Sequence, residues 1–182
     1  MNKAQMSKES KSYLDAVLHQ RIITIDAPER EASATGFSLN NLSAIRFVMG
    51  DASTLFFSAV SVYLADGLEV FVLDVSQSLD LRKYSGGPPI SWQCISQFSD
   101  KFSKVTVENI KFVSAEWHLV TGNGEKSYYG NSPQILVCDT SGEAGSYIVE
   151  DGLILSADNA ELIVSTTNTL SETLSLRYTS FW

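Results

Sequence analysis

Histidine and cysteine are scarce in this chain, two of each in 182 residues, and no CxxC, HxH or HExxH spacing occurs. Zinc sites are assembled from those side chains at those spacings, so neither a metal nor another cofactor is expected. A GxxxxGK[ST] phosphate loop and a GxSxG nucleophile elbow are also missing, which removes the usual sequence support for nucleotide and serine-hydrolase chemistry. Basic residues are outnumbered, 13 against 21 acidic, for a net charge of −8. The densest basic stretches, Arg82-Lys83 and Lys101/Lys104, are too sparse to overcome repulsion by phosphate backbones or anionic lipid. Nucleic acid and membrane are therefore not expected partners. No apolar run is long enough to span a bilayer, and Met1 to Arg21 lack the central apolar stretch of a secretory signal. A cytoplasmic location is expected. Cys94 and Cys138 each lie within an apolar run and read as buried thiols, a bridge between them staying open.

What the chain has is apolar alternation cut by turns. The composition, 44% hydrophobic and 19% charged, is that of a folded globular domain. One domain over residues 1–182 is expected, a helix at about 7–20 followed by a β-rich body at about 21–182. Asp66-Gly67 stands between Val60–Leu64 and Leu68–Val75, and Asp151-Gly152 between Ser146–Glu150 and Leu153–Ser156. Asp-Gly supplies the positive φ angles of a primed turn, so both segments read as hairpins with their aspartates at loop tips.

Near the N-terminus Tyr13, Leu14, Val17 and Leu18 recur at helical spacing, with Ser7 or Ser10 as the cap. His19 falls near the end of that helix, where a cation complements the dipole. Arg21–Asp26 suits a strand, and Glu29–Asn41 reads as a loop. From Leu42 the period is two, with Ile45, Phe47 and Met49 on one face. The strands around Asp66-Gly67 are apolar on much of both faces, which places them centrally. Leu79–Tyr84 suits a short helical turn, and Ser85–Pro89 is the clearest break. Ile90, Trp92, Cys94 and Phe98 then share an apolar side, and Ser99–Lys104 reads as a turn or helical turn. Val105–Val120, Gln134–Cys138, Leu162–Ser165 and Leu174–Tyr178 read as strands, with Gly122-Asn-Gly124 turning the chain. About ten short strands and one helix define a mainly β (α+β) class: an antiparallel sandwich or partly open barrel with the helix packed on the sheet.

Chemistry has few footholds. Glu116 and His118 flank Trp117 and share a strand face, the pairing a general base needs, yet a polar face opposite a buried tryptophan is the simpler reading. Ile135–Cys138 runs into Asp139-Thr-Ser-Gly142, which resembles the Asp-Thr-Gly of aspartic proteases but for inserted Ser141; a strand ending in a turn is the simpler reading. Among the aromatics, Trp92 and Trp117 follow the apolar face and read as core. Tyr128-Tyr129 follows a turn and is the best exposed pair, and Phe181-Trp182 ends the chain on two large rings.

The expected function is a non-catalytic, acidic protein-binding module. Its sharper form is a bacterial immunity or antitoxin protein that occludes the active site of a basic toxin, acidity speeding the encounter. The expected contact residues are Asp66, Asp151, Asp158 and Glu161, with Tyr128 and Tyr129 as aromatic anchors. The alternatives are a carbohydrate- or small-ligand-binding β-sandwich, and an enzyme using Glu116/His118 or Asp139 as its acid–base group.

Overall fold

A computed structural model describes residues 2–32, 36–64, 67, 69–78, 90–122, 125–130, 135–138, 146–167 and 171–180; residues 2, 115–122, 125–130, 135–138 and 146–148 are described by their backbone alone. Leu79–Tyr84, the break Ser85–Pro89, Asp66, Asp139 and Phe181-Trp182 lie outside the described residues.

Alternation builds the smaller sheet. Its strands are β2 (Ile22–Pro28), β4 (Ile45–Met49), β5 (Thr54–Tyr63), β6 (Glu69–Ser76) and β7 (Trp92–Cys94), in the order β6-β5-β4-β2-β7. Ile45, Phe47 and Met49 turn inward as their period demands, joined by Leu55, Phe57, Leu73 and Val75. The larger sheet runs β10-β9-β8-β11-β12-β13-β3. Its members are β3 (Ser38–Leu42), β8 (Asn109–Gly122), β9 (Glu125–Gly130), β10 (Ile135–Cys138), β11 (Ser146–Ala157), β12 (Ala160–Thr166) and β13 (Leu174–Ser180). A short strand β1 (Asn2–Ala4) adds to β11 in parallel. Leu153, Leu155, Leu162, Val164, Leu174 and Leu176 share one core cluster with the smaller sheet's inner face. Among the described residues the protein is thus mainly β and sandwich-like, with two helices and with sheets that do not close into a barrel.

Helix α1 (Lys8–Asp15) is capped by Ser7, whose hydroxyl accepts the Ser10 N–H at 3.0 Å. It docks on β6 through Ser10, which donates to Asp74 Oδ1 at 2.6 Å and accepts the Val75 N–H at 3.2 Å. That second bond occupies part of an open sheet edge, a position that otherwise invites pairing with other chains. Helix α2 (Ser96–Phe102) buries Phe98, Ser99 and Phe102; Ser99 ties it to β2 by accepting the Ile25 N–H at 2.9 Å.

Five expectations are corrected. Asp151-Gly152 is not a turn: β11 runs through both residues with a bulge between Glu150 and Gly152, and the reversal into β12 comes at Asp158-Asn159. Gly152 is glycine for another reason, because a Cβ there would stand 2.7 Å from Ser165 Cβ and 2.9 Å from the Val164 oxygen. The stretch Glu29–Asn41 contains most of β3, whose period a bulge breaks, so that buried Leu39 and Leu42 lie three apart. Strand β6 is an edge strand, not a central one. The first helix ends at Asp15, and His19 lies beyond it in a left-handed conformation (φ 65°), its N–H donating to the Val107 carbonyl at 2.8 Å. Cys94 is exposed and free rather than buried, since in three-residue β7 it is the following Ile95 that enters the core; the Cys138 side chain is not described.

Candidate functional site

The β5–β6 hairpin extends past the sheet that carries it. The register of β4 with β5 runs to Ile45↔Phe57, and that of β5 with β6 continues to Tyr63↔Glu69. The register Tyr63↔Glu69 leaves a five-residue connection, 64–68, in place of the two-residue primed turn that Asp-Gly implied. Gly67 still supplies the positive φ (83°), its N–H donates to the Leu64 carbonyl at 2.8 Å, and nothing lies within 4 Å of where a Cβ would stand. Gly67 therefore faces open space, while Leu64 and Val70 on either side of the connection stay buried. Tyr63 is 69% exposed there, the most exposed large hydrophobic side chain among the described residues, directly opposite exposed Glu69. An aromatic body with a polar tip beside a carboxylate suits a wet interface rather than a core.

A second cluster lies on the outer face of the smaller sheet. Cross-strand register aligns Ser76, Phe56, Arg46, Asp26 and Cys94 in one row across all five strands. Asp26 is buried, and Arg46 holds it through Nε at 2.7 Å and Nη2 at 2.6 Å. The guanidinium sits 5.0 Å from the Trp92 ring, which packs 5.7 Å from Phe56. Trp92 is therefore half-buried on an outer face, not a core residue as the alternation implied, because Pro28 pairs with it at the sheet edge. A buried carboxylate with its cation and ring fixed above it reads as a rigid brace.

Of the expected contact residues that are described, Asp158 and Glu161 fall at the β11–β12 turn and the start of β12, Asp151 in β11, and Tyr128 and Tyr129 in β9. Asp158 sits exposed at the β11–β12 turn (φ 48°), near Glu108, whose N–H donates to the Ser156 carbonyl. Asp51 occupies the same end of the molecule, where Gly50 bonds Arg21 and Val107 bonds Gln20. Bonds from the Ser53 hydroxyl and N–H, then from Gln20, hold the Asp51 carboxyl below its ordinary pKa. Strand β5 starts beside Asp51 and runs ten residues to Tyr63, so the acidic end and the hairpin tip are roughly 30 Å apart. Glu161 is half-buried within β12, opposite Ser156 and Thr179. Tyr128 and Tyr129 stand in β9, paired with β8 on one side and β10 on the other rather than in a loop. Glu116 and His118 stand opposite Ile148 and Ser146 in β8, two residues apart on one strand.

Asp151 belongs to the β11 bulge. Burial raises its carboxyl from 3.8 to about 6, and its Oδ1 is shut off from solvent with no hydrogen-bond partner. The neighbouring Glu150 is buried yet well satisfied: its carboxylate accepts the Met6 N–H at 3.1 Å and meets Lys11 at 2.8 Å and Lys3 at 3.5 Å. Sequence reasoning missed Tyr63, Glu69, Glu150 and the Arg46–Asp26 pair. Tyr63 had a signal, being the polar-tipped aromatic nearest an Asp-Gly loop; Glu150 had none, since its partners lie at the far end of the chain.

The described residues contain no group of three or more His, Cys, Asp and Glu side chains placed to hold a metal ion. Nor do they contain a helix long and apolar enough to cross a membrane. What the fold defines is a class, a mainly β sandwich-like domain with an overhanging hairpin. No protein-family model, curated protein or solved structure matches the chain.

Proposed function

We propose that this chain is a non-catalytic protein-binding module that engages a basic partner through the β5–β6 tip. The observation that carries the reading is Tyr63, 69% exposed on a ribbon beyond the sheet and paired with Glu69. Tyrosine is among the residues that dominate binding energy at protein interfaces, and it loses little conformational freedom on docking. In the sequence Asp66 lies between Tyr63 and Glu69 as a further acid, and the net charge of −8 extends the attraction beyond contact range. In its finer form the module is an immunity or antitoxin protein, the ribbon entering and covering the active site of a basic toxin.

The test is recovery of a partner by the tagged chain from its native cells at low salt. The proposal requires a basic protein whose binding weakens as salt rises. It also requires Tyr63→Ala combined with Glu69→Lys to weaken binding about tenfold or more while the unfolding temperature stays constant. No basic partner at low salt, or a partner indifferent to the double substitution, overturns the reading.

A further inference from the structure

Among the described residues three buried side-chain oxygens lack a hydrogen-bond partner, Gln20 Oε1, Asp151 Oδ1 and Thr166 Oγ1. Two of them meet at one place in the fold. The β11–β12 register runs from Ala157↔Ala160 to Gly152↔Ser165, and one residue further it sets Asp151 opposite Thr166. Thr166 is 4% exposed and follows Leu162 and Val164 on the inward face of β12. The strands lie close at this point, since a Cβ on Gly152 would stand 2.7 Å from Ser165 Cβ. Residues opposite one another in an antiparallel pair have Cβ atoms about 5 Å apart, so a rotamer change brings carboxyl and hydroxyl into contact.

Burying such groups unpaired costs free energy, and the pair has one remedy within itself. A neutral carboxyl carries a proton to donate, and a hydroxyl oxygen has lone pairs to accept it. The surroundings favour the neutral form. Lys3 of β1 and Lys11 of α1 are engaged by Glu150, while β6 brings the acids Glu69 and Asp74 and β12 brings Glu161. Lys111 of β8 and Arg177 of β13 belong to the outward row of Ile154 and Ile163, and Glu116 of β8 stands opposite Ile148. Burial raises the Asp151 carboxyl to about 6. We propose that Asp151 and Thr166 form a buried proton-binding site, in which the neutral carboxyl donates to Thr166 Oγ1 and fastens β11 to β12 beside the bulge. As pH rises the proton leaves, the bond is lost, and an uncompensated carboxylate remains at the end of the β11–β12 ladder. The device holds that end in acid and loosens it near neutrality. It goes beyond the hairpin-tip reading and stands without it, because the two places share no residue.

Carbon-13 titration of the Asp151 carboxyl in the full chain tests the site, with Thr166→Val removing the acceptor while keeping the shape of the side chain. A bond made to the neutral form raises a carboxyl pKa, so its loss is expected to lower the Asp151 midpoint by about half a unit or more. Thr166→Ser keeps the hydroxyl and leaves the midpoint in place, and Thr166→Ala repeats the valine result in a variant that cannot overpack. Thr166→Val also lowers the urea midpoint more at about pH 4 than at about pH 7.5, because the bond exists only on the acid side. An unchanged Asp151 midpoint in both the valine and alanine variants overturns the proposal. So does a raised one, since the hydroxyl is then a donor to the carboxylate.

Discussion

Asp151 is where one side chain sets a property of the whole protein. Its folded pKa of about 6 lies above the ordinary 3.8 because burial disfavours the charged form. At pH values below both, the carboxyl is protonated in folded and unfolded chains alike and has no effect on their balance. As pH rises from about 4 to 6 the unfolded chain releases the proton first, so stability falls, by up to ~3 kcal/mol for a shift of about two units. Above 6 the loss is complete and constant. Asp151→Asn removes this fall: urea midpoints measured from pH 4 to 7 should decline in the original chain relative to the variant, and parallel curves would contradict the assignment. None of this was legible in the sequence. Asp-Gly between apolar runs has one common local meaning, a turn, and the competing meaning depends on Ser165 and Val164, which approach Gly152 from a strand the pattern cannot place.

Elements were legible where period and burial agree. Strand β4 alternates without interruption and its inward face was readable, although the period was begun at Leu42, which belongs to β3, and Ser7, one of two candidate serines, capped the helix. Strand β3 was not readable, because its bulge shifts Leu39 and Leu42 out of the period that identifies a strand. The two Asp-Gly sites turn this difference into a measurement. Gly67 stands in open space with a φ of 83°, so Gly67→Ala costs only backbone strain, ~1 kcal/mol. Gly152 has an ordinary φ but no room, and Gly152→Ala must part β11 from β12 at roughly 2–3 kcal/mol. Chemical denaturation of the two variants should rank them in that order; the reverse order would restore the turn reading of Asp151-Gly152.

At the scale of the whole molecule, one core cluster draws on both sheets and on α2. Tryptophan fluorescence follows Trp92 on the smaller sheet among other sites, while far-ultraviolet circular dichroism follows the strands of both. The two signals should lose structure at one denaturant concentration, as a single cooperative unit does, and separated transitions would divide the chain into two domains. The class of fold was visible in the count of short strands and turns. The placement of the candidate site was not, because the overhang of β5 is a property of β4 stopping short, and strand order is invisible in a single sequence. The segment that completes the larger sheet has a consequence in time. Met6 meets Glu150 across 144 positions of chain, so during synthesis β1 must wait, unpaired, until Glu150 has emerged. Contacts that distant in sequence close slowly. The β1–β11 pairing is then a late step of assembly.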